Sequence, residues 1–182
     1  MHRITILLSF LFLLSCNSAK QAQKQSINNQ IKASRIMFII MPMKDLSISW
    51  QPFLVSCDTV FNKNDIATEL LPFNRNGFNP SNSNSYLKEI RQFMPDCFVI
   101  LVPKGYGNTL KNKYIKYAIY TMPIDVVEFL LPANSDYKLP TPTLTGSFKL
   151  VIANTVEKAK LNGNEAAHEF IDVLKTRITT IQ

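Results

Sequence analysis

Apolar positions along this chain fall into runs, alternations and helical stripes, and each pattern predicts a different element. Residues 35–41 (Arg-Ile-Met-Phe-Ile-Ile-Met) and 97–102 (Cys-Phe-Val-Ile-Leu-Val) are apolar runs of strand length without alternation. Strands of that kind are buried on both faces and lie centrally in a sheet. Residues 46–50 alternate, with Leu46, Ile48 and Trp50 on one side and serines on the other. They predict a half-buried strand broken by Pro52, its pairing continued by residues 53–57. Residues 114–122 place Ile115, Tyr117 and Ile119 against Lys116, Ala118 and Tyr120, which predicts another strand. Residues 123–131, with Val126-Val127 between two prolines, predict a further strand, and residues 147–153 the last one.

Helical spacing occurs in three places. Asn64 predicts the cap of a short helix over 65–71, with Asp65 at its positive end and Pro72 stopping it. Residues 86–94 present Leu87, Ile90, Phe93 and Met94 on one face, and Pro95 follows. The C-terminal stripe of Ala167, Phe170, Ile171, Leu174, Ile178 and Ile181 predicts a helix capped by Asn164, its acids early and its bases late. Residues 73–83, with Asn-Gly and Asn-Pro, and residues 132–146, with three prolines, predict loops. No internal repeat is visible. Together these elements predict one α+β domain over residues 34–182, a mixed, mostly antiparallel sheet with helices packed on it.

The N-terminus changes the setting of that domain. Met1-His2-Arg3 is a positive head, and residues 4–14 are apolar apart from Thr5 and Ser9. That core is about half the ~20 residues a membrane-spanning helix needs, which suits a signal peptide. Leu13-Leu14-Ser15-Cys16 then resembles the lipobox of a bacterial lipoprotein, although Leu14 is bulkier than that position usually allows. The resemblance covers residues 1–16 only. It implies removal of residues 1–15, a lipid on Cys16, and a cell-envelope location, lipid-anchored to the outer membrane and facing the periplasm. The residues after Cys16 (Asn17, Ser18, Ala19) carry no acid of the kind that directs sorting of such proteins. Residues 16–33 lack aromatics, acids, Gly and Pro, and predict a flexible tether with an end-to-end distance of roughly 20–25 Å.

With Cys16 lipidated, Cys57 and Cys97 remain in a compartment that permits disulfides. A bridge between them is favoured over two buried thiols, and would contribute ~3–4 kcal/mol on the chain-entropy model. Loss of residues 1–15 removes Arg3 and leaves 19 basic against 13 acidic side chains, a formal charge of +6. For an exported protein, nucleic acid is not the expected partner. Anionic headgroups, anionic envelope polymers or an acidic protein are.

Candidate chemistry is sparse. His168 is the one histidine after the signal segment, with Asp172 one turn on and Glu165 three residues before. Such i,i+4 pairs are routine on helix surfaces, and no Gly-x-Ser-x-Gly elbow supplies a nucleophile. Asp125 and Glu128 read as a polar edge. One histidine and two distant cysteines give no zinc-ligand spacing. Pro103-Lys-Gly-Tyr-Gly-Asn follows a buried strand but lacks the Gly-Lys-Ser/Thr ending of a phosphate loop. No catalytic residue, metal or cofactor is assigned. The densest basic-aromatic stretch is 104–120, where Lys104, Lys111, Lys113 and Lys116 stand among Tyr106, Tyr114, Tyr117 and Tyr120 without an acid. Lys104, Tyr106, Lys111, Lys113 and Lys116 are the predicted partner-binding residues. The expected function is a lipid-anchored, non-catalytic interaction or assembly module. The alternatives are an envelope hydrolase with dispersed catalytic residues and a lipoprotein that binds a small ligand.

Overall fold

The computed structural model describes residues 30–41, 43–46, 48–72, 83–130 and 140–181. The predicted signal peptide, Cys16 and most of the predicted tether lie outside the described residues, as do residues 73–82 and 132–139 of the two predicted loops and Leu131 at the end of a predicted strand. Five strands form one sheet in the order β2-β1-β3-β4-β5. They are β1 (Arg35–Ile40), β2 (Ala67–Pro72), β3 (Cys97–Asn108), β4 (Lys113–Pro123) and β5 (Thr143–Val151). β1 pairs in parallel with β2 and with β3, while β3–β4 and β4–β5 are antiparallel. The α+β class and mixed sheet are as expected, the pairings being divided evenly between the two senses. β1 and the first half of β3 occupy the centre, as their unbroken apolar runs predict; Ile36, Met37, Val99 and Ile100 are fully buried.

Parallel neighbours need crossovers, and these supply the helical layers. Helix α1 (Trp50–Lys63) links β1 to β2, and α2 (Ser83–Phe93) links β2 back past β1 to β3. Because the second crossover runs in the opposite direction, crossovers of one hand place these helices on opposite faces of the sheet. α1 and the C-terminal helix α4 (Val156–Lys175) cover one face; α2 and the short α3 (Val126–Leu130) cover part of the other. The α1/α4 face holds an aromatic core. Phe53 stacks on Phe148 at 5.0 Å, Phe148 meets Phe170 at 5.3 Å, and Tyr117 lies 5.6 Å from Phe148.

Four predicted elements are corrected. The expected strand over 46–50 and its continuation over 53–57 are instead a 3₁₀ turn (Lys44–Leu46) and α1. Trp50, Phe53, Leu54, Cys57 and Phe61 follow helical spacing, and Pro52 sits in the first turn, where a missing N–H costs nothing. Asn64 ends a helix rather than starting one. Ile66 N–H donates to Phe61 O at 3.0 Å and Asp65 N–H to Asn62 O at 3.2 Å, with Asp65 at φ 55°, a Schellman C-cap. The chain after it, predicted as helix 65–71, is β2, drawn into parallel pairing with β1. The predicted strand over 123–131 is α3, because the Asp125 carboxylate accepts the N–H groups of Val127 and Glu128, both at 3.1 Å. α4 begins eight residues before its predicted cap, with Lys158 N–H donating to Thr155 Oγ1. Its first turns bury only Ala159 and Gly163 and expose Val156 and Leu161, so they lack an apolar stripe.

The domain also begins earlier than residue 34. Ile31 N–H donates to Arg177 O at 2.8 Å and Thr179 N–H to Ile31 O at 3.0 Å, and Ala33 is wholly buried. Next to this seam, Asp96 accepts from Ser34 N–H at 2.9 Å, Ser34 Oγ–H at 2.8 Å and Arg35 N–H at 2.9 Å. The predicted bridge between Cys57 and Cys97 is not formed: both are free, buried thiols. Burial pushes both thiols up, Cys97 to about 12.

The helix contact and the Asp96 carboxylate each yield a measurable expectation. A Cβ on Gly163 would lie 2.8 Å from Pro52 Cβ and 2.9 Å from Phe53 N, so α1 and α4 meet where only glycine fits. Gly163→Ala gains about 1 kcal/mol of helix propensity but meets an overpacking cost of ~1–3 kcal/mol. A lowered urea midpoint is expected, and a raised one would show that the helices can part freely. For Asp96, burial would raise the carboxyl. The three donors and the Arg35 guanidinium outweigh it and hold the group below its ordinary value. A depressed acid contributes stability above the unfolded pKa of about 3.9, and loses it as pH falls through the folded value. Asp96→Asn should therefore lower stability at pH 7 and flatten its decline below about pH 4 in urea titrations.

Candidate functional site

The predicted partner-binding residues lie on the β3–β4 hairpin, and strand alternation divides them between its two faces. Pairing runs to Asn108 opposite Lys113, with a bulge between Pro103 and Gly105. Gly105, at φ 152°, takes the left-handed backbone that the bulge requires. Tyr106 pairs with Ile115, whose side chain belongs to the α1/α4 core. On that side the Tyr106 hydroxyl donates to Asp45 at 2.7 Å, so this exposed ring fastens the hairpin to the 3₁₀ turn. Lys113 shares that face by alternation. Lys111 stands at the hairpin tip beside the fully exposed Leu110, in a turn closed by Thr109 N–H donating to Asn112 O at 2.8 Å.

Lys104 and Lys116 face the other way. Beyond the cover of α2 and α3, this face of β3, β4 and β5 carries no helix among the described residues. The Lys104 ammonium lies 5.6 Å above the Tyr120 ring. Lys116 is directly opposite Lys149 of β5. The Lys149 ammonium sits 5.1 Å above the ring of Tyr114, and that ring covers Gly107, where a Cβ would collide with it. Lys149 N–H points to the outer edge of β5 and donates to Glu169 Oε2 at 3.3 Å. Three lysines from three adjacent strands thus cross one open face in a row. Tyr114 is half-buried beside them. Tyr117 and Tyr120, counted in the linear cluster, are buried, and Tyr117 belongs to the opposite core. Lys149, thirty-three residues from Lys116, is invisible to a search along the chain. It is found only through the β4–β5 register, although segments 140–156 and 97–124 share a visible absence of acids.

The other candidates have structural partners or stand apart. His168, Glu165 and Asp172 are exposed on α4. Asp125 is the α3 cap. A cavity of about 280 Å³ opens between α1 and the β1–β2 edge, lined by Phe38, Phe53, Leu54, Cys57, Leu70 and Phe170. Asp58 at its rim accepts from Thr68 Oγ1 at 2.9 Å and Asn62 Nδ2 at 3.0 Å, which ties α1 to the edge strand. Among the described residues, no three of His, Cys, Asp and Glu converge as a metal site would require, and no helix is long and apolar enough to cross a membrane.

No family model matches the chain, and no curated protein does. Among solved structures, the dodecamer of a PelC variant from Paraburkholderia phytofirmans is similar over 85% of this chain and 96% of that one. The TM-score is 0.43 and the identity 3%. A likeness that remote carries no functional argument.

The cap assignment for Asp125 is testable. Asp125→Ala should cost about 1 kcal/mol, as loss of a helix cap does, and should leave any partner binding unchanged. A loss of binding at unchanged stability would return this carboxylate to the functional residues.

Proposed function

We propose that this protein is a lipid-anchored module of the bacterial cell envelope that acts by holding an anionic partner and not by catalysis. The observation that carries the reading is the row Lys104, Lys116 and Lys149 on the open sheet face, in strands that contain no acidic residue. Such a face speeds association with an acidic surface and selects against basic ones. Lys111 at the hairpin tip, and Lys113 on the opposite face of the same hairpin, add to its positive charge. The lipobox at residues 13–16 supports the anchor, and several acyl chains at ~0.8 kcal/mol per buried methylene hold effectively irreversibly. Facing the periplasm from the outer membrane, the domain would stand off the bilayer on the segment after Cys16.

The two halves of the reading have separate tests. Cys16→Ser should abolish incorporation of labelled fatty acid and release the protein from membranes; unchanged labelling would end the anchor. Lys116→Glu with Lys149→Glu should leave the fold intact, since exposed charges contribute little stability. The same pair should lose whatever co-purifies with the parent from solubilised envelopes, and the parent's association should weaken as salt rises. Retention of the same components at the same salt would remove this face from the function.

A further inference from the structure

The lysine row is more specific than a generally positive surface, and a narrower class of partner can be inferred if the interaction reading holds. Because Lys149 N–H turns outward to Glu169, Lys149 and Lys116 form a non-hydrogen-bonded pair, the kind whose Cα atoms approach to about 4.5 Å. Like charges directly opposite one another destabilise a sheet. The side chain of Glu169 reaches the pair only at the strand backbone, from the α4 side. An anion lying between the two ammonium groups would relieve the repulsion. Lys104 lies one strand further, in the bulge next to Gly105, the residue paired with Lys116, and its ammonium reaches along the same face toward Tyr120.

We propose that this row binds a linear polyanion, a polymer bearing phosphate or carboxylate groups at intervals, laid across β3, β4 and β5. The relief of the face decides between this and other acidic partners. α2 and α3 stand on the same face beside the row, and a helix with its side chains is about 10 Å thick. Among the described residues they form a step beside the lysines, which disfavours a flat bilayer and leaves room for an extended chain at its foot. The row also lacks the buried aromatic or aliphatic anchor around which protein interfaces are built.

The test uses the lipidated full chain in detergent, with long-chain polyphosphate and polygalacturonate as probes and nanodiscs containing phosphatidylglycerol as the comparison. The parent is expected to bind both polymers, more weakly as salt rises. Lys116→Ser with Lys149→Ser should lower affinity at least about tenfold, while Lys160→Ser, on exposed α4, should not. Without polymer, the double variant should melt close to the parent, because the repulsion removed offsets the lost contact of Lys149 with Tyr114. Polyphosphate should raise the melting temperature of the parent alone. Equal polymer binding by parent and double variant would overturn the proposal, as would binding of the nanodiscs but not the polymers. So would failure of both probes with an acidic protein co-purifying through the same lysines, an outcome that leaves the broader interaction reading standing. Loss of the anchor in Cys16→Ser concerns residues 1–16 and leaves the polymer result unaffected.

Discussion

The fold depends on covering β1 and the first half of β3 on both faces. Ile36, Phe38 and Ile40 look toward α1 and α4, and Met37 and Ile39 look toward α2 and α3. Two strands with no polar face can be central only if helices lie on either side. Parallel pairing of β1 with both neighbours provides those helices as connections. Farther along the sheet the demand falls away. In the first half of β4, before Ala118, alternation returns, with Lys116 exposed between the buried Ile115 and Tyr117. The helices on one face stop where the apolar side chains beneath them stop, so among the described residues an uncovered basic face remains where only half of one side of the sheet needs cover.

The same demand explains which parts of the architecture can be read along the chain. The central strands, the 86–94 helix and the C-terminal stripe each carry a local pattern strong enough to survive tertiary context. The region 46–71 does not. There, Ser-Ile-Ser-Trp mimics alternation, Pro52 resembles a break while occupying a permitted helical position, and Asn64-Asp65 suits either end of a helix. The Schellman bonds from Ile66 and Asp65 decide the matter, and they depend on the helix already formed before them. α4 is longer than its stripe for a related reason. Its first turns bury small residues against α1, and close approach leaves no hydrophobic signal to count.

The candidate site is legible by half. Lys104 and Lys116 are near in sequence and share a face, but Tyr106 lies between them and belongs to the other side, where it bonds Asp45. Linear density cannot separate these, whereas a period of two can once the strand and its bulge are known. Lys149 requires long-range register. Acid-free segments at 97–124 and 140–156 mark strands that share a charge character without showing that they are neighbours.

Charge segregation of this kind has a physical consequence for how the domain meets a partner. The thirteen acids lie outside β3, β4 and β5, so these strands present no carboxylate of their own to an arriving anion. Neutralising the Lys116–Lys149 pair therefore gains attraction and removes an existing repulsion in one step. Such a face is better suited to repeated, reversible contact along a polymer than to one tight interface. Each neutralised pair is screened by salt, and the three lysines stand exposed on the strands, not at the bottom of a pocket that would trap a single group. With the proposed anchor at Cys16, weak contacts of this sort would add up, because the domain would be confined to the layer where the proposed polymer lies.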